Sequence, residues 1–141
     1  MKRIVDYKTK ETGNIGEITA SNFVINRKYR IIHRNFHIGR YGEIDIIAQE
    51  NSGFWPFLRK TNVFIEVKTL KIDPGKVRDF IPEMHINERK SQKLLNLAQI
   101  YLSRNGIPMD SSWRIDVIAV EIDCFTGNIL NIRHHKNAIH L

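Results

Sequence analysis

Two short stretches decide how this chain folds: EIDII at residues 43–47 and FIEVK at residues 64–68. Each is rich in β-branched residues and is bounded by turn residues, a pattern that predicts a short β-strand. If the two strands lie side by side in one sheet, the side chains of Asp45, Glu66 and Lys68 converge on one edge of that sheet. We expect both the fold and the chemistry of the protein to depend on this meeting.

Strand alternation determines which side chains share a face, because successive side chains point to opposite sides of a strand. The first stretch is predicted to have an acidic face, with Glu43, Asp45 and Ile47, and an apolar face, with Ile44, Ile46 and Ala48. In the second stretch, Glu66 and Lys68 share a face from which Ile65 and Val67 point away. The polar side chains of both strands can therefore meet on one side.

Two carboxylates at this edge repel each other unless a further partner is present. At a separation of about 4 Å and an effective dielectric constant of about 20, the repulsion is roughly 4 kcal/mol. A lysine offsets part of this energy, and a divalent cation offsets more. Carboxylate oxygens, a backbone carbonyl and several waters suit Mg²⁺. The alternative is that the carboxylates lie on a solvated sheet face or pair with lysine alone.

Several motifs follow one another in the order found in a known family. They are GNIGEITA at residues 13–20, RNF at 34–36, GEIDIIA at 42–48, FIEVKT at 64–69, RIDVI at 114–118 and NAI at 137–139, together with Lys90 and residues 98–102. In this order, over nearly the whole chain, they resemble the small bacterial YraN-like family of predicted PD-(D/E)XK endonucleases, which is related to archaeal Holliday-junction resolvases. The E-x-K triplet alone is a weak signal, whereas the ordered set is a strong one.

The resemblance implies an α/β, restriction-endonuclease-like fold, in which a mixed sheet is flanked by helices. It also implies an endonuclease that hydrolyses DNA phosphodiester bonds, with branched or junction DNA among its substrates and Mg²⁺ or Mn²⁺ as its cofactor. Asp45 and Glu66 would bind the metal, with the Val67 carbonyl as a third ligand. Lys68 would orient the attacking water or stabilise the developing charge.

Two further glutamates are candidates for the same site. Glu17 has two interpretations that do not exclude each other: a capping-box partner of Asn14 at the start of a helix, or a residue near the metal, where the family has a glutamate. Glu43 is predicted to assist from the Asp45 strand, with less support than Glu17. Asp116 also matches a family position, but we favour its pairing with an arginine or lysine over metal binding.

The charge of the chain indicates an acidic partner. The formal net charge of +7 favours nucleic acid, although basic small proteins are common. The candidate contacts to a DNA backbone are Arg34, Lys90, Gln92 and Lys93. Leu70 stands where the family usually has an arginine, which removes a candidate phosphate contact. This departure keeps a second function open, that of a catalytically weak or inactive nucleic-acid-binding module with the same fold.

Length and composition favour one globular domain over residues 1–141. A chain of this size with 42% hydrophobic residues can bury a sizeable core. Cys124 is the only cysteine, so no internal disulfide can form, and we expect a reducing cytoplasm. The N-terminus lacks a secretory signal pattern, and no apolar run is long enough for a membrane span. A homodimer is considered because symmetric cutting of a junction requires two sites.

Helices and loops are predicted around the acidic strands. A loose arm over residues 1–12 precedes a helix over 15–27 and a strand over 29–36. Residues 50–62 are predicted as an extended hairpin loop. Its aromatic residues, Phe54, Trp55 and Phe57, either stack on unpaired bases or pack on the domain or at a dimer contact, and we favour packing.

The C-terminal half is predicted to contain one helix and two strands. A mobile loop over residues 70–86 leads into a helix over 87–105, which Asn87 can cap. Strands follow over residues 113–122 and 129–134. His134, His135 and His140 do not have the spacing of a zinc site, so zinc is not expected.

Overall fold

The structure is a computed structural model that describes residues 2–76 and 86–140, with side chains described for residues 12–76 and 86–140. Two helices and five strands follow one another in these ranges. They are α1 (Lys2–Asn26), β1 (Arg30–Ile38), β2 (Gly42–Ser52), β3 (Arg59–Ile72), α2 (Glu88–Arg104), β4 (Trp113–Asp123) and β5 (Ile129–Ile139). Neither of these helices has an apolar run that would reach across a lipid bilayer.

All five strands form one sheet in the order β1-β2-β3-β4-β5. The first three strands are joined by short turns and run antiparallel to their neighbours. α2 connects β3 to β4 as a crossover, which makes this pair parallel, and β5 returns antiparallel to β4. The predicted α/β architecture, a mixed sheet flanked by helices, is confirmed, and it is consistent with the restriction-endonuclease-like fold.

Each face of the sheet is covered by one helix. α2 packs on one face through a stripe that the sequence spacing predicts: Leu94, Leu97, Ala98, Tyr101 and Leu102. α1 packs on the opposite face through Ala20 and Val24. Full burial of one leucine or valine stabilises the fold by about 1.5–3 kcal/mol. The central strands β3 and β4 are apolar on both faces because both faces are covered.

The predicted alternation along β2 is wrong at one point. Ile44 and Ile47 belong to the core under α2, whereas Ile46 and Ala48 belong to the core under α1. A regular strand would place Ile44 and Ile46 on the same face. The change of face lies at Asp45, immediately before the point where β2 begins to pair with β3 at Ile46.

α1 begins earlier than predicted. Residues 2–12 are helical rather than a loose arm, and Asn14 lies inside the helix instead of at its N-cap. The capping-box interpretation of Asn14 and Glu17 is therefore wrong. The segment contains no proline, and its lysine and glutamate residues favour a helix. Gly13 and Gly16 each disfavour a helix by about 1 kcal/mol, but neither ends this one.

The hairpin between β2 and β3 is longer and tighter than predicted. Both strands continue into the predicted 50–62 loop, up to the pair Ser52–Arg59, so that only residues 53–58 connect them. The predicted packing of the aromatic residues on the domain is not observed. Phe54, Trp55 and Phe57 are all exposed.

The boundaries in the second half agree better with the prediction. Asn87 caps α2, because its side chain accepts a hydrogen bond of 2.8 Å from the Lys90 backbone N–H. β5 extends beyond its predicted end to Ile139. The predicted mobile loop over 70–86 begins too early, because β3 extends to Ile72 and a turn follows it. Residues 77–85 of this loop lie outside the described residues.

α1 approaches the sheet very closely at Gly16. A Cβ atom at this position would lie 1.8 Å from Oγ1 of Thr69 in β3, so a larger residue requires a shift of the helix or of Thr69. The close approach brings the next residue, Glu17, into a cavity that Asp45 also lines. Gly13, one turn earlier, has no other atom within 4 Å of such a Cβ.

We expect Gly16→Ala and Gly13→Ala to have opposite effects on stability. Gly13→Ala should stabilise the protein by about 0.5–1 kcal/mol, because alanine favours a helix and meets no neighbour there. Gly16→Ala should destabilise it by about 1–3 kcal/mol, because α1 and Thr69 must move apart. Urea denaturation of both variants measures the difference. Equal stability of the two would contradict the close packing of α1 on β3.

Candidate active site

The candidate site is a fork between β2 and β3. These strands pair from Ile46 and Ile65 toward the hairpin tip, and the residues of β2 before Ile46 pair with β1 but not with β3. Asp45 lies where the fork opens. Its Oδ2 accepts a hydrogen bond of 2.8 Å from the backbone N–H of Val67. The carboxylate therefore occupies the position of a backbone acceptor and is held between the two strands.

Three carboxylates from two elements meet at the fork. Oxygens of Glu17 in α1 and of Glu43 and Asp45 in β2 all lie within 4.8 Å of one another. Among the side chains that the structure describes, no other group of three His, Cys, Asp or Glu residues comes this close. The group thus includes the two glutamates for which the sequence offered less support than for Asp45.

Glu66 contributes a fourth carboxylate from β3. Its side chain is 11% exposed, and its Oε1 contacts Nζ of Lys90 in α2. Glu66 lines the same cleft as Asp45, and its charge raises the pKa of Asp45. The two predicted metal ligands are therefore neighbours, with the Lys90 ammonium against one of them. The predicted contact of Lys90 with DNA stays a prediction.

Burial and the charge of neighbouring carboxylates raise the pKa of two members of this group, Asp45 and Glu17. Burial, together with the charge of Glu66, raises the pKa of Asp45 to about 7. The charges of Glu17 and Glu43 act in the same direction with smaller effects. Burial also raises the pKa of Glu17, although a hydrogen bond with Asn35 acts against it. Such an excess of negative charge fits the binding of a divalent cation.

The fork is accessible from both faces of the sheet. On the α2 side, Asp45 lines a cleft of about 440 Å³ together with Glu66 and Lys93. On the α1 side, it lines a cavity of about 260 Å³ together with Glu17 and Arg34. Two of the predicted nucleic-acid contacts, Arg34 and Lys93, therefore border the carboxylates from opposite sides.

Gln92 lies outside this cleft. Its Nε2 donates a hydrogen bond of 3.0 Å to Oδ1 of Asn96 on the exposed side of α2. It lines a separate groove with Tyr41 and Arg89. A DNA contact by Gln92 would therefore take place beside the candidate site rather than in it.

The two remaining predicted residues lie on β3 at the fork. Lys68 is half-buried and follows Glu66 by two positions, so strand alternation places both on the same face. Val67 uses its N–H to hold Asp45. Metal binding by the Val67 carbonyl stays a prediction.

Sequence reasoning missed two residues that touch the carboxylates. Nε2 of His37 lies 3.3 Å from Oε2 of Glu43, and Asn35 forms a hydrogen bond with Glu17. The RNF motif at residues 34–36 is a signal for Asn35, because asparagine tolerates the positive φ that this position adopts. His37 has no comparable signal, since a single histidine near a strand end has no characteristic spacing.

A second acidic cluster is neutralised by its own partners. Asp116 is fully buried and accepts hydrogen bonds from Nε of Arg114 at 2.8 Å and from the Asn137 backbone N–H at 2.9 Å, and its Oδ2 lies 2.8 Å from Nε2 of His134. Arg114 also donates to Glu50 at 2.6 Å. Burial raises the pKa of Asp116, but these hydrogen bonds outweigh it and lower the pKa. The structural pairing favoured for Asp116 is confirmed.

Fold and site together define a class of protein: an α/β domain whose mixed sheet opens into a fork lined by carboxylates. Within that class, the chain belongs to the uncharacterised protein family UPF0102, whose family model matches residues 16–120. It is 36% identical to a UPF0102 protein of Clostridium botulinum strain 657 over 135 residues, which cover 96% of this chain and 98% of the relative. It is 37% identical to a UPF0102 protein of Francisella tularensis subsp. novicida over 131 residues, which cover 93% and 96%. All predicted site residues lie within the matched range.

We expect Asp45→Asn to stabilise the metal-free protein above neutral pH. Asparagine keeps an oxygen for the Val67 N–H but carries no charge. Because the pKa of Asp45 is raised from 3.8 to about 7, the parent loses stability as pH rises through this interval. The variant should therefore gain up to about 4 kcal/mol over the parent at pH 8, and nothing below pH 3.8.

Urea denaturation in EDTA at both pH values measures this gain. Asp110→Asn, which changes an exposed aspartate outside the site, is the matched control and should leave stability nearly unchanged. An Asp45→Asn variant less stable than the parent at pH 8 would contradict the electrostatic account of the fork.

The contribution of Glu50, which pairs with Arg114 and Lys136, to stability should depend on pH in the opposite direction to that of Asp45. Burial raises the pKa of Glu50, but hydrogen bonds from Lys136, Arg114 and Tyr29 outweigh it and lower the pKa to about 2. Its stabilising effect is present above pH 4.5 and is lost as pH falls toward 2. Glu50→Gln should therefore cost about 1–3 kcal/mol at pH 7 and almost nothing at pH 2, as measured by thermal or urea unfolding. If Glu50→Gln lowers stability equally at pH 7 and pH 2, Glu50 is not stabilised in its charged form by these hydrogen bonds.

Proposed function

We propose that this protein is a metal-dependent endonuclease that hydrolyses phosphodiester bonds of DNA, with branched or junction DNA among its substrates. The observation that carries the proposal is the close approach of Glu17, Glu43 and Asp45 at an open fork in the sheet, where Glu66 lines the same cleft as Asp45. Burial and the neighbouring carboxylates raise the pKa of Asp45 and of Glu17, which destabilises the fold when these groups ionise, so their presence requires a reason. Binding of a hard divalent cation supplies that reason.

The donor set suits Mg²⁺ or Mn²⁺. All four side chains offer hard oxygen ligands, and no cysteine or histidine takes part in the close group of three. Asp45 is the best-placed ligand, because it lies nearest the fork and is fixed by the Val67 N–H. Glu66 would complete the site, with Glu17 and Glu43 as ligands or as acceptors for metal-bound water. A bound cation would activate water and neutralise charge on the phosphate.

The chain's own residues would position the DNA and the attacking water. Lys68, on the same face as Glu66, would orient the water or stabilise the charge that develops on the phosphate. Arg34 and Lys93 border the carboxylates on opposite faces, where they can contact backbone phosphates on either side of the bond to be cleaved. These assignments give each basic residue a different task at one site.

A second candidate function is DNA binding by this fold with weak or no catalysis. Two observations favour it. Leu70 removes the arginine expected at this position, and Lys90 already neutralises Glu66. A lysine paired with Glu66 competes with a cation for the same carboxylate. If this competition dominates, the fork binds DNA but holds a catalytic metal poorly.

Cleavage assays with purified Asp45→Asn and Glu66→Gln variants separate these functions. The substrates are a four-way junction, a single strand and a blunt duplex, each with Mg²⁺ or Mn²⁺. Both variants should lose at least about 100-fold in cleavage rate, because each removes a charged ligand and keeps its shape. Asp110→Asn is the control and should cut like the parent.

DNA binding in EDTA completes this test. We expect both variants to bind the junction about as well as the parent does, since the basic residues are unchanged. If both cut like the parent, the nuclease assignment is wrong. If the parent binds DNA but cuts none of the three substrates with either metal, the second function is correct.

A further inference from the structure

The tip of the β2–β3 hairpin exposes an unusual amount of apolar surface. This tip, defined as residues 53–58, contains four large apolar side chains with exposed fractions between 63% and 81%: Phe54, Trp55, Phe57 and Leu58. Neighbouring exposed rings of this size leave water in contact with an area that folding usually buries, and such a patch marks an interaction site.

The shape of the tip is fixed by its own contacts. The Phe57 backbone N–H donates a hydrogen bond of 2.6 Å to the Phe54 carbonyl. The two rings meet edge to face, with centroids 6.1 Å apart. Gly53 has a φ of +82°, and a Cβ there would lie 2.4 Å from the Phe57 carbonyl oxygen. Glycine is therefore required for this turn, which holds the rings outward without support from the core.

The positive charge next to the tip favours a polyanion as its binding partner. Arg59 and Lys60 come directly after Leu58, the last residue of the tip, and both are exposed. No acidic residue occurs between positions 51 and 63. A second copy of the chain docked on the tip would bring like charges together, which disfavours self-association. An unpaired stretch of nucleic acid offers the complement, since it combines flat apolar bases with phosphate charges.

We propose that the hairpin tip binds unpaired nucleobases of DNA by stacking them on Phe54, Trp55 and Phe57, with Arg59 and Lys60 on the adjoining phosphates. The inference rests on the proposed function for the identity of the polymer. It adds that the bound DNA contains unpaired bases and that the hairpin tip contacts them. Eight residue steps lead from Asp45 along β2 to Gly53, or about 26 Å at 3.3 Å per step. Duplex DNA spans this length in about eight base-pair steps of 3.4 Å, so a duplex segment of that length would connect the cleavage site to the unpaired bases at the tip.

Binding measurements in EDTA test the tip without any cleavage. The probes are a fluorescein-labelled 20-nucleotide oligothymidine and a blunt 20-base-pair duplex. The tip variant combines Phe54→Ala, Trp55→Ala and Phe57→Ala. Its affinity for the single strand should fall at least about fivefold for each ring that stacks. Its affinity for the duplex should change less than twofold. Phe125→Ala removes an equally exposed ring from the β4–β5 turn and should change neither affinity.

Substitutions of Trp55 distinguish stacking from general apolar contact. Trp55→Phe keeps an aromatic face and should bind the single strand within about twofold of the parent, whereas Trp55→Leu should lose about fivefold or more. Oligothymidine should quench the parent's tryptophan fluorescence, and Trp55→Phe should abolish most of this quenching. Because these are single exposed substitutions, they keep the test valid if the tip variant folds poorly.

Three results would overturn the proposal. The first is a tip variant that binds the single strand as tightly as the parent does. The second is ring-dependent sedimentation with phosphatidylcholine–phosphatidylglycerol vesicles while DNA affinity is independent of the rings, which would make the tip a membrane anchor. The third is a dimer that the tip variant abolishes in analytical ultracentrifugation while DNA affinity is unchanged.

Asp45→Asn separates this proposal from the nuclease assignment. It should keep full affinity for the single strand in EDTA, because the tip is unchanged. If Asp45→Asn cuts DNA like the parent while binding remains ring-dependent, the nuclease site is wrong and the tip assignment stands. If cleavage requires Asp45 but single-strand binding ignores the rings, the tip assignment is wrong and the nuclease site stands.

Discussion

The hydrogen bond from the Val67 N–H to the Asp45 carboxylate is the interaction on which the site depends. It lies where the β2–β3 ladder stops, so a side-chain oxygen satisfies a backbone donor that would otherwise lack its strand partner. The bond fixes the carboxylate between two strands and points it toward the cleft. Because Asp45 is fixed in this way, Glu17 from α1 and Glu66 from β3 can approach it from opposite faces of the sheet.

The two acidic clusters of this protein differ in how their charge is balanced. Asp116 and Glu50 share the guanidinium of Arg114 and have lowered pKa values, so this cluster stabilises the fold at neutral pH. The pKa of Asp45 is raised because its carboxyl group is buried and other carboxylates lie close to it. The first arrangement is complete within the chain. The second is costly within the chain and would become favourable with the cation proposed above, which is the usual conflict between stability and function at an active site.

The local sequence pattern predicts the helices and strands well, but it predicts their tertiary contacts less well. The apolar stripe of α2, its cap at Asn87 and the antiparallel hairpins follow from spacing and turn residues. The change of face between Ile44 and Ile46 does not, because it depends on where β3 begins to pair. The approach of Glu17 depends on a tertiary contact at Gly16, which no periodicity reveals. Asp45, Glu66 and Lys68 can be predicted as candidate site residues from the sequence because they lie in short motifs.

The β2–β3 hairpin links the fork to the exposed tip as one rigid unit. Its seven residue pairs run from Ile46–Ile65 to Ser52–Arg59 without a register shift, so the separation of the two ends is set by strand geometry. Exposed rings at the far end contribute nothing to the core, and a shorter turn would connect the same strands. The length of the hairpin and the apolar character of its tip therefore have no explanation in folding. They are explained if one substrate contacts both ends, with its backbone at the carboxylates and its bases on the rings.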